Sequence, residues 1–201
     1  MRTTASPRTD VHVETIEDFG TLRFTPVDPA ADSEVLHSWV SEERARFWGM
    51  NGVSRELVQE IYEDVDRRTT HHAFMVRLDG APVALFQTYQ PEEDRVSECY
   101  EVREGDIGIH LMLAPFEGRP RPGFSRTLVG ALVRFTFRDP AIRRAVAEPD
   151  AANAKALALL GRIGFVPQGG ITLPEIDLPE VYLPEKRAVL AFLDRPAELS
   201  A

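Results

Sequence analysis

The chain has 201 residues and a formal net charge of −9, with 43% hydrophobic and 27% charged residues. This composition is typical of a globular domain with a packed core. The acidic balance argues against nucleic acid as a partner, because phosphate binding needs a basic surface. No apolar run approaches the roughly 18 residues of a membrane helix, and the N-terminus lacks the apolar core of a secretory signal. We therefore expect a cytoplasmic protein without a membrane partner.

The predicted elements follow from hydrophobic periodicity and turn residues. A polar, loosely ordered arm is expected over residues 1–20. The pattern predicts seven strands, at residues 21–25, 72–78, 81–89, 106–113, 144–147, 165–171 and 186–193. It predicts four helices, which begin near residues 29, 54, 123 and 152. Ser54 is a candidate N-cap, Asp79-Gly80 a hairpin turn, and Gly164 the residue that ends the last helix.

The order of these elements predicts an α/β fold. Hairpin-linked strands come first and crossover-linked strands follow, which indicates a mixed central sheet of about seven strands flanked by about four helices. We expect one domain over residues 21–195, preceded by the flexible arm at 1–20 and followed by a tail at 196–201. A Pro-rich, acidic loop is predicted over residues 172–185.

Candidate functional residues concentrate between residues 105 and 165. Gly123 lies before a predicted helix, where free backbone N–H groups and the positive end of the helix dipole can hold a pyrophosphate. His110 lies in the best-patterned strand, on the same face as Asp106, and a histidine can accept a proton from an attacking amine. Each residue also has a structural interpretation. Gly123 can be a simple turn, His110 a half-buried strand residue, and Asp150 and Asn153 helix caps.

A family resemblance rests on the order and spacing of these segments. They read GDIGIHLM at residues 105–112, PGFSR at 122–126 and FRDPAIRRAVAEPDAANAKALALLGRIGFVP at 137–167. This succession resembles GNAT N-acyltransferases, and more closely the acyltransferases of siderophore biosynthesis that act on hydroxycadaverine, hydroxylysine or a lysine side chain. The pattern departs from the family at the phosphate loop. Gly123-Phe124-Ser125 replaces Gly-x-Gly, and Pro120 stands where Arg or Gln is usual.

The resemblance implies a GNAT fold, acetyl-CoA or succinyl-CoA as co-substrate, no metal, and direct transfer without an acyl-enzyme. It implies catalytic roles for His110 as general base and for Asp150, which would orient the nucleophile, share its proton or bind a second ammonium. Trp48, in the segment ARFWGM, is a candidate acceptor contact, and core packing is the alternative. Asp106 is a second candidate acceptor contact, and the alternative is that it only begins a strand. The residues implied for acyl-CoA binding are Leu111, Met112, Leu113, Gly123, Phe124, Ser125, Arg126, Thr127 and Asn153.

Three functions stay open at this point. The first is acylation of an N-hydroxylated diamine or lysine-type amine to a hydroxamate. The second is acetylation of another cationic amine such as an aminoglycoside. The third is a non-catalytic acyl-CoA-binding module. The expected partners are a small amine and acyl-CoA, and the protein is expected to be a monomer or homodimer.

Overall fold

The computed structural model describes residues 8–115, 121–178 and 181–199. The strands in this part of the chain are β1 His12–Ile16, β2 Gly20–Pro26, β3 His71–Leu78, β4 Ala81–Tyr89, β5 Asp106–Leu113, β6 Arg144–Ala147, β7 Val166–Leu173, β8 Ile176–Leu178, β9 Val181–Leu183 and β10 Lys186–Asp194. The α-helices are α1 Pro29–Val40, α2 Arg55–Arg67, α3 Phe124–Thr136 and α4 Ala154–Arg162. Short 3₁₀ helices form at Glu43–Trp48, Pro91–Glu93, Arg95–Cys99 and Ala197–Leu199.

Eight strands form one mixed sheet in the order β1-β2-β3-β4-β5-β6-β10-β7, and β8 pairs with β9 separately. β5 and β6 run parallel, whereas β10 is antiparallel to both of its neighbours. The parallel pair is joined through α3, as a crossover connection requires. The predicted mixed α/β fold is therefore confirmed, with eight strands in the main sheet instead of about seven.

Local sequence signals account for several element boundaries. The Ser54 side chain accepts a hydrogen bond from the Leu57 backbone N–H at 3.1 Å, so it is the N-cap of α2. Asp79 and Gly80 both have positive φ, 48° and 90°, which is the geometry of a tight hairpin turn between β3 and β4. Gly164 adopts φ of 100° just after α4 and ends that helix.

Two segments differ from the sequence-based expectation. Part of the predicted arm is strand β1, which pairs in antiparallel register with β2, His12 opposite Phe24. Part of the predicted loop at residues 172–185 is the β8–β9 hairpin. Neither segment has a long apolar run that would predict a strand. β1 lies at the sheet edge, where half-buried and exposed residues alternate, and β8 and β9 are only three residues each. The domain boundaries at residues 20 and 195 stay predictions.

The chain divides into two compact units, residues 1–87 with 111–122 and residues 88–110 with 123–201. The first unit has a core in which α1 packs against α2 and α2 packs on β3, with Leu36, Val58 and Met75 fully buried. The second unit has two apolar clusters, one around Tyr89 and Val146 and the other around Phe137 and Phe165. His110 and Asp150, the two predicted catalytic residues, both belong to the second unit.

Candidate active site

His110 lies on β5 and is bound to a buried carboxylate. Its Nε2 atom lies 2.6 Å from Oε1 of Glu148, the residue that follows β6. Glu148 is 4% exposed, whereas the His110 side chain is 36% exposed. The second carboxylate oxygen of Glu148 accepts a hydrogen bond from the Tyr89 hydroxyl at 2.9 Å. Lys186 donates to the Glu148 backbone carbonyl at 3.1 Å, so this residue is held at its side chain and its backbone.

The electrostatics of this cluster keep Glu148 ionised. Burial raises its pKa, but the charge and hydrogen bond of His110, the charge of Lys186 and the Tyr89 hydroxyl outweigh burial and bring the pKa to about 2. Burial lowers the pKa of His110, but the Glu148 carboxylate outweighs this effect and raises the pKa above its ordinary value. Burial raises the pKa of Tyr89 well above its usual range, so this phenol remains a hydrogen-bond donor.

Gly108 lies two residues before His110 and makes room for Tyr89. A Cβ atom at Gly108 would overlap the Cζ atom of the Tyr89 ring. That ring packs on His110 at a centroid separation of 4.9 Å. The absence of a side chain at Gly108 thus permits the ring to lie where its hydroxyl reaches Glu148.

We expect Gly108→Ala to lower the free energy of unfolding by about 1–3 kcal/mol, because an added methyl in a filled space forces the buried Tyr89 ring to move. The measurement is thermal or urea unfolding. Gly161→Ala in α4 is the matched control, since its Cβ meets nothing within 4 Å, and alanine in a helix is favoured over glycine. Equal stability of the two variants would contradict this account of Gly108.

Asp106, a predicted acceptor contact, is occupied by a buried ion pair. Arg144 on β6 donates to both of its carboxylate oxygens, at 2.7 and 2.6 Å. The Tyr100 hydroxyl and the Arg103 backbone N–H also donate to Asp106. Burial raises the pKa of Asp106, but these donors outweigh it and the pKa lies below its usual value. The carboxylate is satisfied within the fold, which supports a structural interpretation of Asp106, and its role towards the acceptor stays a prediction.

The predicted phosphate loop has the backbone geometry of an open helix N-terminus. Gly123 adopts φ of 80° as the N-cap residue of α3, and no side-chain hydrogen bond caps the helix within the described residues. Ser125 and Arg126 are exposed in its first turn, whereas Phe124 and Thr127 are half-buried. The first N–H groups of a helix have no intrahelical partner, which suits an anion. Arg121, just before the loop, donates to the backbone carbonyls of Asp18 and Phe19, whereas Pro120 lies outside the described residues.

Asp150 and Asn153 both take part in the turn that begins α4. The Asp150 carboxylate accepts from the Ala152 backbone N–H at 2.8 Å, and Asn153 accepts from Ala156 at 3.2 Å as the N-cap of α4. Asp150 also forms a backbone bridge with Ala188. The capping interpretation is therefore confirmed for Asn153, whereas Asp150 bonds a turn residue before the helix and is not its N-cap. The roles of both residues towards ligands stay predictions.

The remaining predicted residues belong to the first unit. Trp48 is half-buried, packs against the core of that unit and hydrogen-bonds the buried Tyr62 side chain. Met112 is buried, whereas Leu111 and Leu113 are half-buried. The Leu113 carbonyl accepts from Arg44 at 2.6 Å. These contacts fix the end of β5 and support the packing interpretation of Trp48, whose acceptor role stays a prediction.

Glu148 and Tyr89 are the residues that the sequence interpretation missed. β5 and β6 pair with Asp106 opposite Arg144 and Gly108 opposite Val146, a constant separation of 38 positions. His110 and Glu148 are also separated by 38 positions. Two residues further along both strands, the same register places His110 opposite Glu148. The sequence would therefore have predicted this pair once the pairing of β5 with β6 was known.

Among the described residues, no group of three or more His, Cys, Asp or Glu side chains is arranged to hold a metal ion. None of the helices within residues 8–115, 121–178 and 181–199 is both long and apolar enough to cross a membrane.

Comparison with known proteins assigns the chain to a family. A family model described as an acetyltransferase (GNAT) domain matches residues 28–173. The chain is 27% identical to an N(6)-hydroxylysine O-acetyltransferase of Escherichia coli over 87% of its own length, but it spans only 52% of that relative. It is 28% identical to an N-hydroxyputrescine acetyltransferase of Acinetobacter baumannii, over 72% of this chain and 68% of the relative. An aminoglycoside N(6′)-acetyltransferase of Klebsiella pneumoniae is 26% identical, over 78% and 79% respectively.

A solved structure supports the fold. An aminoglycoside acetyltransferase in complex with coenzyme A superimposes with a TM-score of 0.70 at 24% identity, over 87% of this chain and 95% of the other. At this identity the likeness shows the shared fold only.

Proposed function

Because the chain belongs to the GNAT acetyltransferase domain family, we propose that it transfers an acyl group from acyl-CoA to the nitrogen of an N-hydroxylated diamine or lysine-type side chain. The product is a hydroxamate, the iron-binding group of many siderophores. The observation that carries the proposal is His110, a partly exposed histidine whose Nε2 contacts a buried, ionised carboxylate. Two of the relatives, named for hydroxylysine and hydroxyputrescine, support the acceptor class.

The acyl-CoA side of the site is assigned to α3 and β5. The N-terminus of α3, with Gly123 in a left-handed conformation and the exposed Ser125 and Arg126, suits a pyrophosphate. Backbone N–H groups of residues 111–113, which follow His110 directly, would stabilise the oxyanion that develops on the thioester carbonyl. Acetyl-CoA and succinyl-CoA are the two acyl donors that we propose.

The transfer is proposed as one direct displacement. The acceptor nitrogen attacks the thioester carbonyl carbon, the C–N bond forms, and the C–S bond then breaks with its electron pair leaving on the CoA thiolate. The proton lost by nitrogen passes to His110 as general base. Holding both substrates in line supplies much of the rate. Cys99 is no nucleophile in this scheme, because its thiol donates to the Thr172 carbonyl, and burial raises its pKa.

Asp150 is proposed to act on the acceptor through its charge. One of its oxygens accepts from Ala152, and a carboxylate at this turn suits the cationic end of a diamine. Asp150→Asn is the informative variant, since an amide oxygen can still accept from Ala152 while the charge is lost. We expect it to raise KM for a diamine acceptor and to leave thermal stability close to wild type.

The proposal is tested by free-thiol release from acetyl-CoA and succinyl-CoA with a panel of acceptors. The panel contains N-hydroxycadaverine, N-hydroxyputrescine, N6-hydroxylysine, lysine and kanamycin. We expect turnover with at least one N-hydroxylated amine, at a kcat/KM at least tenfold above that for lysine. Turnover of kanamycin alone would replace the hydroxamate proposal with an aminoglycoside acetyltransferase. Binding of acyl-CoA without thiol release from any pair would indicate a non-catalytic module.

A further inference from the structure

The strand register brings two ion pairs onto one face of the second unit. Side chains alternate along a strand, so Asp106 and His110 point to the same face of β5. Arg144 lies opposite Asp106, and Glu148 bonds His110 at the same separation of 38 positions. The Asp106–Arg144 pair is enclosed, whereas only the His110–Glu148 pair presents a partly exposed ring. Of the two pairs, the second alone has a member that a substrate can reach.

The carboxylate of this second pair is fixed from several directions. The Tyr89 hydroxyl donates to one oxygen and His110 contacts the other. The backbone next to Glu148 is tied to β10, because Val189 donates to the Pro149 carbonyl and Ala151 donates to the Arg187 carbonyl. A carboxylate held in this manner selects one orientation and one tautomer of the histidine it contacts.

We propose that Glu148, and not Asp150, is the positioning residue of His110, holding the proton of the neutral imidazole on Nε2 so that Nδ1 accepts the proton of the acyl acceptor. Asp150 is separated from this contact by Pro149, and its side chain accepts from the Ala152 backbone. The Tyr89 hydroxyl also holds Glu148 by donating a hydrogen bond to it, and the Tyr89 ring fits there because Gly108 has no side chain. The inference rests on the proposed function for the meaning of the proton transfer, but the tautomer itself is independent of it.

The proton balance follows from this geometry. As the C–N bond forms, the proton on the acceptor nitrogen moves to Nδ1 and the ring becomes an imidazolium. Nε2 keeps its own proton, shared in the hydrogen bond to Glu148, and the carboxylate stabilises the new positive charge. The electron pair of the broken C–S bond leaves on the thiolate, which then takes up a proton as the imidazolium is deprotonated.

The pH dependence of the reaction reports on the same contact. Burial and the charge of Lys186 lower the pKa of His110. The charges of Glu148 and Asp94 raise it and outweigh them. The neutral Tyr89 ring packs on the imidazole. The active form is the neutral imidazole, so kcat/KM is expected to rise with pH through a midpoint above the ordinary histidine value of about 6.5. Without the Glu148 charge the burial effect remains, and the midpoint moves to lower pH.

The first experiment needs no substrate. Long-range ¹H–¹⁵N spectra of the wild-type protein, with the His110 signal assigned by its loss in His110→Gln, report which ring nitrogen carries the proton above the midpoint. We expect the Nε2–H tautomer in the wild type and its loss in Glu148→Gln. The Nδ1–H tautomer in the wild type would overturn the proposal whether or not any amine is acylated.

The second experiment uses the acceptor that turns over best. Glu148→Gln is expected to lower kcat/KM by about 10²–10⁴-fold, as loss of a tautomer-holding carboxylate does. The pH midpoint should fall, and the Kd for acyl-CoA should stay unchanged. Glu101→Gln, an exposed carboxylate of the same unit, is the matched control and should match the wild type. A kcat/KM of Glu148→Gln within twofold of wild type, with an unchanged pH midpoint, would overturn the positioning role. A wild-type protein that acylates none of the amines would count against the proposed function alone.

Discussion

Replacing His110 with alanine is expected to lower kcat/KM for acyl transfer by about 10²–10⁴-fold, because the general base that takes the acceptor proton is lost. His110 is the residue of its cluster that combines exposure with contact to an ionised carboxylate. The measurement is initial rate of thiol release across acyl-CoA and acceptor concentrations. Binding of acyl-CoA should be retained, so the loss should fall on kcat.

Glutamine at the same position separates chemistry from stability. In His110→Ala the buried Glu148 charge loses its partner. Because His110 is partly exposed, we expect this loss to cost less than the about 3–5 kcal/mol of breaking a fully buried pair. In His110→Gln the side-chain amide can still donate to Glu148 but cannot accept a proton at neutral pH. We expect both variants to lose activity alike and the glutamine variant to retain more stability. His72→Ala, an exposed histidine on β3, is the matched control, and activity within tenfold of wild type in His110→Gln would rule out the base assignment.

Replacing Arg144 with methionine is expected to have the largest effect on stability, a loss of about 3–5 kcal/mol in the free energy of unfolding. The substitution leaves the buried Asp106 carboxylate without the guanidinium that donates to both of its oxygens. The Arg144 guanidinium also stacks over the Phe192 ring at 4.0 Å, and this contact is lost as well. Urea unfolding at neutral pH measures the change.

The double variant Asp106→Asn with Arg144→Met tests the cause. Asparagine still accepts from the Tyr100 hydroxyl and the Arg103 backbone but carries no charge, so most of the lost stability should return. Arg67→Ala is the surface control, since the Arg67–Asp64 pair on α2 is exposed and such pairs contribute up to about 1 kcal/mol. A double variant as unstable as Arg144→Met would show that the uncompensated charge is not the reason for the loss.

Several elements of the fold could be predicted because their signals are local. The Asp79-Gly80 turn, the Ser54 cap and the glycine after α4 each need only a few neighbouring residues, and each prediction is confirmed. Strand β1 was missed for the opposite reason. Its polar sequence becomes a strand through pairing with β2, and an edge strand with one exposed face need not be apolar.

The candidate site divides in the same way. The alternation of β5 by itself determined that Asp106, Gly108 and His110 share a face, because strand geometry repeats every two residues. Only the tertiary structure decided their partners, Arg144 for Asp106, the Tyr89 ring for Gly108 and Glu148 for His110. The register of two parallel strands joined through a helix depends on packing along the whole crossover. No local preference encodes it, so sequence pattern indicated the histidine and the fold supplied its carboxylate.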